Sequence, residues 1–124
     1  MRFNPDEHVK EFVDVPANAQ TATAHNGAGV DCRGYEYAVF LINIGTVGAS
    51  ATIDFKAQDS SDNSTFADIS GSSITQQTAT GTLKHVVKCD GQARYLRGVL
   101  TIGTATTDAG SAGLLMNPKV APAV

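Results

Sequence analysis

A short phrase occurs twice in this chain. Val30-Asp31-Cys32-Arg33-Gly34 leads to Tyr37 and ends at Ile44-Gly45-Thr46, and Val87-Lys88-Cys89-Asp90-Gly91 leads to Tyr95 and ends at Ile102-Gly103-Thr104. The copies align with a single one-residue slip. Each passes from a glycine turn into an apolar, β-branched run and stops at Gly-Thr, the pattern of a strand bounded by turns. Solenoids and propellers need at least three stacked units to bury a core. Two copies therefore predict a pseudo-symmetric β-sandwich in which each copy supplies an equivalent strand.

The rest of the chain follows the same local rules. Gln20 to Ala24 reads as a short strand and Tyr37 to Ile44 is a near-continuous apolar run. Thr52 to Gln58 alternates, with Ile53, Phe55 and Ala57 on one face, the signature of a half-buried strand. Asp59 to Thr65 is a polar turn whose Asp, Asn and Ser side chains can bond their own backbone and tolerate left-handed geometry. Phe66 to Ile69, Leu83 to Val87, Ala93 to Ile102 and Ala112 to Met116 complete the strands, with a short edge strand near Ile74. In Ala93 to Ile102, Leu96, Gly98, Leu100 and Ile102 share one face, and Tyr95, Arg97, Val99 and Thr101 the other. Seven or eight short strands at this spacing predict an all-β, single-domain β-sandwich or jelly-roll-like fold.

Size and charge narrow the function. A chain of 124 residues is one domain. Its 12 acidic residues exceed its 9 Lys and Arg, a net charge of −3, so there is no cationic excess to displace counterions from a nucleic acid. No apolar run reaches the roughly 20 residues that span a bilayer, and the first residues lack the apolar core of a secretory signal. Neither nucleic acid nor membrane is an expected partner. Cys32 and Cys89 are too few for a disulfide framework and are expected to be reduced.

The chemistry-bearing residues do not converge. His8, His25, His85, Cys32 and Cys89 lack the close spacing of a zinc site. Asp59, Ser61, Asn63 and Asp68 alternate like calcium ligands, but the segment lacks the glycine and terminal glutamate of an EF-hand loop and reads as a hairpin turn. No serine sits in a G-x-S-x-G elbow, and His85 reads as a hydrogen-bonded strand histidine. The expectation is a protein that is not an enzyme and uses no cofactor or metal. Residues 1–16, the most charged stretch, read as an N-terminal arm with a possible helical turn at Asp6 to Phe12. Residues 17–117 read as the sandwich and 118–124 as a tail ended by its prolines. Phe3, Val9, Phe12 and Val13 are the arm's candidate contacts with another subunit, and Arg94 and Arg97 are candidates for pairing with carboxylates of this chain or a neighbour.

Val30-Asp31-Cys32-Arg33-Gly34-Tyr35, the strand ending Ile44-Gly45-Thr46, the hairpin from Gln58 to Ile69, and Arg94-Tyr95-Leu96-Arg97 occur in this order over roughly residues 28–117. Together they resemble small structural proteins of tailed phages and prophages, the head decoration or cement proteins. Asp62-Asn63 stands where such sequences often carry Asp-Gly, an exchange that keeps a residue tolerant of positive φ. The resemblance implies a subunit that binds the outside of an assembled icosahedral head as an oligomer and stabilises it. Its partners would be the major capsid protein and itself, as dimer or trimer. It would be made in the host cytoplasm and reside on the virion's capsid surface. The same hairpin resembles the Ser-x-Asp-Gly turn of discoidin-like carbohydrate-binding modules, although a chain without Trp offers a poor sugar-stacking surface. A tail or baseplate component is the other alternative.

Overall fold

The computed structural model describes residues 9–89 and 92–118. Their regular structure is all strand: β1 (Val9–Gln20), β2 (Ala24–Asn26), β3 (Val30–Asp31), β4 (Tyr35–Ile44), β5 (Thr52–Ser60), β6 (Ala67–Ser73), β7 (Gly81–Lys88), β8 (Tyr95–Gly103) and β9 (Thr107–Pro118). One sheet has the order β1-β9-β4-β7 and the other β2-β8-β5-β6, with β3 also pairing to β8. All pairings are antiparallel.

Period-2 alternation supplies the two inner faces. Ala38, Phe40, Ile42 and Ile44 of β4 face Ile53, Phe55 and Ala57 of β5 and Leu96, Leu100 and Ile102 of β8 across one core. Phe40 and Phe55, one from each sheet, meet with ring centroids 5.5 Å apart. Phe12 closes edge-on against Phe40, also at 5.5 Å. The inward set expected for β5 is the observed one, and the grouping of Leu96, Gly98, Leu100 and Ile102 on one face of β8 is also observed, with Val99 buried on the other.

The repeat is a structural pseudo-two-fold. β4 and β8 are interior strands of opposite sheets, and the strand that precedes each copy's cysteine pairs with the long strand of the other copy. Val30 lies opposite Leu96, as Val87 lies opposite Ala38. The Cys32 N–H donates to the Arg94 carbonyl at 2.9 Å and the Cys89 N–H to the Glu36 carbonyl at 2.7 Å, and these acceptors are equivalent positions just before the repeat tyrosines. The Tyr35 and Gln92 N–H groups then close matching turns onto the Cys32 and Cys89 carbonyls, both at 3.1 Å.

The ends differ from expectation. From Val9 onward, the segment read as an arm is an edge strand, paired with β9 from Val9↔Met116 to Gln20↔Thr107. A helical turn reaching Phe12 is thereby replaced by strand. Hydrophobic alternation is satisfied by lying on β9, and two register shifts, between Val13 and Val15 and between Val15 and Asn18, accommodate Pro16 on an outer edge where its missing N–H costs no ladder bond. The last strand is also longer than expected, beginning at Thr107 and reaching Pro118, which lies beyond the last β1 partner of β9. Gln20 to Ala24 is not one strand: β1 ends at Gln20, and the chain turns before β2 begins at Ala24 in the other sheet.

Candidate functional site: an apolar outer sheet face

The two outward faces of the molecule are chemically unlike. On the β5–β8 side, polar groups are tied to one another. Arg97 Nε donates to Gln58 Oε1 at 2.9 Å, and Gln58 Nε2 donates to Asp68 Oδ1 at 2.7 Å. Lys56 Nζ pairs with the same carboxylate at 3.0 Å. The Gln58 and Lys56 hydrogen bonds hold Asp68 below the usual carboxylate range. The Arg97 guanidinium lies 4.1 Å over the Phe66 ring. Arg94 pairs with Asp31 at 2.8 Å and holds that carboxyl low. Both arginines singled out from the sequence therefore have partners within this chain.

On the β1-β9-β4-β7 side, outward positions are largely apolar. The register places Glu11, Leu114, Val39 and Val86 in one row across the sheet, and Val13, Ala112, Leu41 and Lys84 in the next. Val13 is 65% exposed, Val86 49% and Leu41 40%, the exposed large apolar residues of the described chain. Ala112 of β9 lies between Val13 and Leu41, and Gly110, the next outward position of β9, lies between Ala17 and Asn43; these small residues leave a trough. It consists of two adjoining depressions of about 480 and 320 Å³ that share Val13, Leu41 and Ala112. Gly110 has to be glycine, because a Cβ there would stand 2.6 Å from the Ala17 Cα where β1 crosses it. Contiguous exposed apolar surface of this kind marks a contact site.

The arm candidates divide accordingly. Val13 stands on this face. Phe12, its neighbour, points the other way and packs against the core, because alternation along β1 sends adjacent side chains to opposite sides. Val9 pairs with Met116 at the start of β1, and Phe3 lies outside the described residues. Leu41, Val86 and Leu114 went unrecognised as surface residues. The available signal was the apolar character of both faces of Tyr37 to Ile44, which reads equally as a strand covered on both sides.

Asp14 is the unexpected group. It occupies the first register shift of β1, is 3% exposed, and crosses to the other sheet. Its Oδ1 accepts the Gly98 N–H at 2.9 Å and its Oδ2 accepts the Ser111 hydroxyl at 2.8 Å. Burial pushes its pKa from 3.8 to about 6, against the opposing pull of the Gly98 N–H, the Ser111 hydroxyl and Arg97. Gly98 makes room for it: a Cβ there would stand 2.1 Å from Asp14 Oδ2 and 2.4 Å from the Phe55 ring.

Other candidate groups have structural partners. Asp62 Oδ1 accepts the N–H groups of Ser64 and Thr65 at 2.9 and 3.0 Å, and Asn63 adopts φ 59°, so the hairpin is the self-bonded turn the sequence predicts. Asp59 accepts the Ala93 N–H at 2.9 Å, and Asp68 is engaged as described above. His85 shares a 2.7 Å hydrogen bond with Ser72, and burial lowers its pKa. Among the described residues no group of three or more His, Cys, Asp or Glu is placed to hold a metal, and no helix is long and apolar enough to cross a membrane.

No family model and no curated protein sequence matches this chain. Among solved structures it is similar to the SPBc2 prophage-derived protein YomS, with a TM-score of 0.61 at 10% identity, covering 88% of this chain and 93% of that one. Weaker likenesses are to a chain of the Bacillus endospore appendages, described as disulfide-linked pili (TM-score 0.46, 16% identity, 88% of each chain). Another is to a chain of Broad Bean Stain Virus (TM-score 0.38, 12% identity, 89% of this chain and 78% of that one). At these identities the likeness to YomS establishes a shared fold, and the two weaker ones carry no argument.

Proposed function

We propose that this chain is a structural virion protein: a capsid decoration or cement subunit that binds the outer surface of an assembled icosahedral phage head as an oligomer and stabilises it. It has no enzymatic activity and needs no cofactor. The observation that carries this reading is the exposed apolar face of β1, β9, β4 and β7, set against an opposite face whose polar groups are already paired. Such a face supplies the contact from which the oligomer is built. Two further points support it. The two antiparallel sheets, ordered β1-β9-β4-β7 and β2-β8-β5-β6, support a jelly-roll reading, an architecture used by viral capsid domains. The fold is also shared with a prophage-derived protein. Weak contacts suffice for such a role, because an oligomer that engages one capsid subunit meets the next at high effective concentration.

The test is cryo-electron microscopy of the particles with which the protein is made. The expected result is density for the two-sheet domain at repeated positions on the head lattice. Bare heads, or density confined to the tail, would overturn the reading.

A further inference from the structure

We infer that the apolar outer face is a self-complementary interface, on which two copies of this chain stack face to face about a two-fold axis running parallel to the strands. The inference deepens the reading of an oligomeric subunit by naming the surface and the symmetry. It rests on how charge and bulk are laid out across the four strands. Glu11 lies on β1 at one margin, and Lys84 and Lys88 lie on β7 at the other. All three are exposed, and among the described residues none takes part in an ion pair. The interior of the face carries a trough along β9, at Gly110 and Ala112, beside a ridge along β4, at Val39 and Leu41.

A two-fold axis along the strands exchanges β1 with the partner's β7 and β9 with the partner's β4. Each Glu11 then lies over the other copy's Val86, flanked by that copy's Lys84 and Lys88, and each Leu41 lies over the other copy's Ala112 in the trough. Opposite charges meet at both margins and a knob meets a hollow at the centre. The perpendicular in-plane axis instead superposes β1 on β1, β9 on β9 and β4 on β4. With that axis at the Glu11 row, Glu11 would approach Glu11 and Lys84 would approach the other copy's Lys88; with it at the Leu41 row, Leu41 would collide with Leu41. Like charges placed together disfavour an interface strongly. Four strands about 4.8 Å apart and four outward rows about 6.8 Å apart give roughly 500 Å² in projection per copy. About 1,000 Å² over both copies is at the threshold for a biological interface, in the range of weak, reversible dimers.

The experiment is sedimentation velocity on the full chain across a concentration series, with circular dichroism to verify folding. The wild-type protein should sediment at twice its 12.9 kDa mass. Leu41→Glu, at a position already exposed in one copy, should keep the fold and raise the dimer dissociation constant on the order of 100-fold or more. Glu11→Lys alone, and Lys84→Glu with Lys88→Glu, should each weaken the dimer. All three changes combined in one chain should restore it, because the margins then pair with signs reversed. A monomeric wild type, a dimer indifferent to Leu41→Glu, or no recovery in the triple variant would each overturn the inference. Solution mass reads the dimer and particle density reads the virion role, so the two fail separately.

Discussion

Replacing Asp14 by Asn should remove a specific piece of the protein's pH dependence. Asp14 is buried between the sheets with its pKa raised from 3.8 to about 6, chiefly by desolvation. A carboxyl whose folded pKa lies above its unfolded value holds its proton more tightly when folded. Between the two pKa values the native state therefore carries more protons than the unfolded state, and stability falls as pH rises. At about 1.4 kcal/mol per pKa unit, the cost of ionising Asp14 in place is roughly 3 kcal/mol, of which roughly 2 to 3 kcal/mol develops between pH 4 and pH 7. Asp31, Asp62 and Asp68 are held low and act in the opposite sense: their contribution is present above the unfolded pKa and lost as pH falls. They are common to both proteins and cancel in the difference. Asn preserves the geometry, since its oxygen can accept the Gly98 N–H. Its amide can donate to the Ser111 hydroxyl oxygen, which already takes the Val15 N–H at 3.1 Å. The assay is urea unfolding of wild type and Asp14→Asn at half-unit steps from pH 4 to pH 7. The stability of the variant relative to wild type should rise by roughly 2 to 3 kcal/mol over that span. Parallel profiles would refute the reasoning, because they would mean that Asp14 is ionised or solvated in the folded protein throughout.

Three further substitutions test the packing. Gly98→Ala places a Cβ 2.1 Å from the Asp14 carboxylate and 2.4 Å from the Phe55 ring, and should destabilise by about 3 kcal/mol in the same unfolding assay. Phe40→Ala opens a cavity where the two sheets and Phe12 meet, and should cost about 3 to 5 kcal/mol with weakened cooperativity of thermal unfolding. Arg97→Ala removes the stack on Phe66 and the bond to Gln58; its cost should be about 1 kcal/mol, with sedimentation unchanged because that face lies opposite the proposed dimer contact.

Much of the architecture was legible because strand signals are local. Alternation in Thr52 to Gln58 assigned its inner and outer faces correctly, alternation in Ala93 to Ile102 grouped Leu96, Gly98, Leu100 and Ile102 on one face, and the Asp62-Asn63 turn formed as its side chains predict. The doubled Val-x-Cys phrase announced a two-fold relation that the backbone hydrogen bonds of Cys32 and Cys89 reproduce position by position. Residues 9–16 were misread because their charges outweigh a short alternation. Lys10, Glu11 and Asp14 look like an arm in water until β9 is present to pair with them.

The sequence by itself determined that this chain makes β-strands, where most of them turn, and which side chains lie on the same side of each strand, since those follow from neighbours two to four residues apart. Tertiary structure decided which apolar face is covered and which remains bare. Val39, Leu41 and Leu114 are as hydrophobic as the residues beside them, but among the described residues no strand lies across their side of the sheet. It likewise decided that Asp14 is buried, because the groups that receive it, Gly98 and Ser111, are 84 and 97 residues away in the chain. Covering a face and satisfying a buried carboxylate both depend on contacts that exist only once the two sheets have closed on each other.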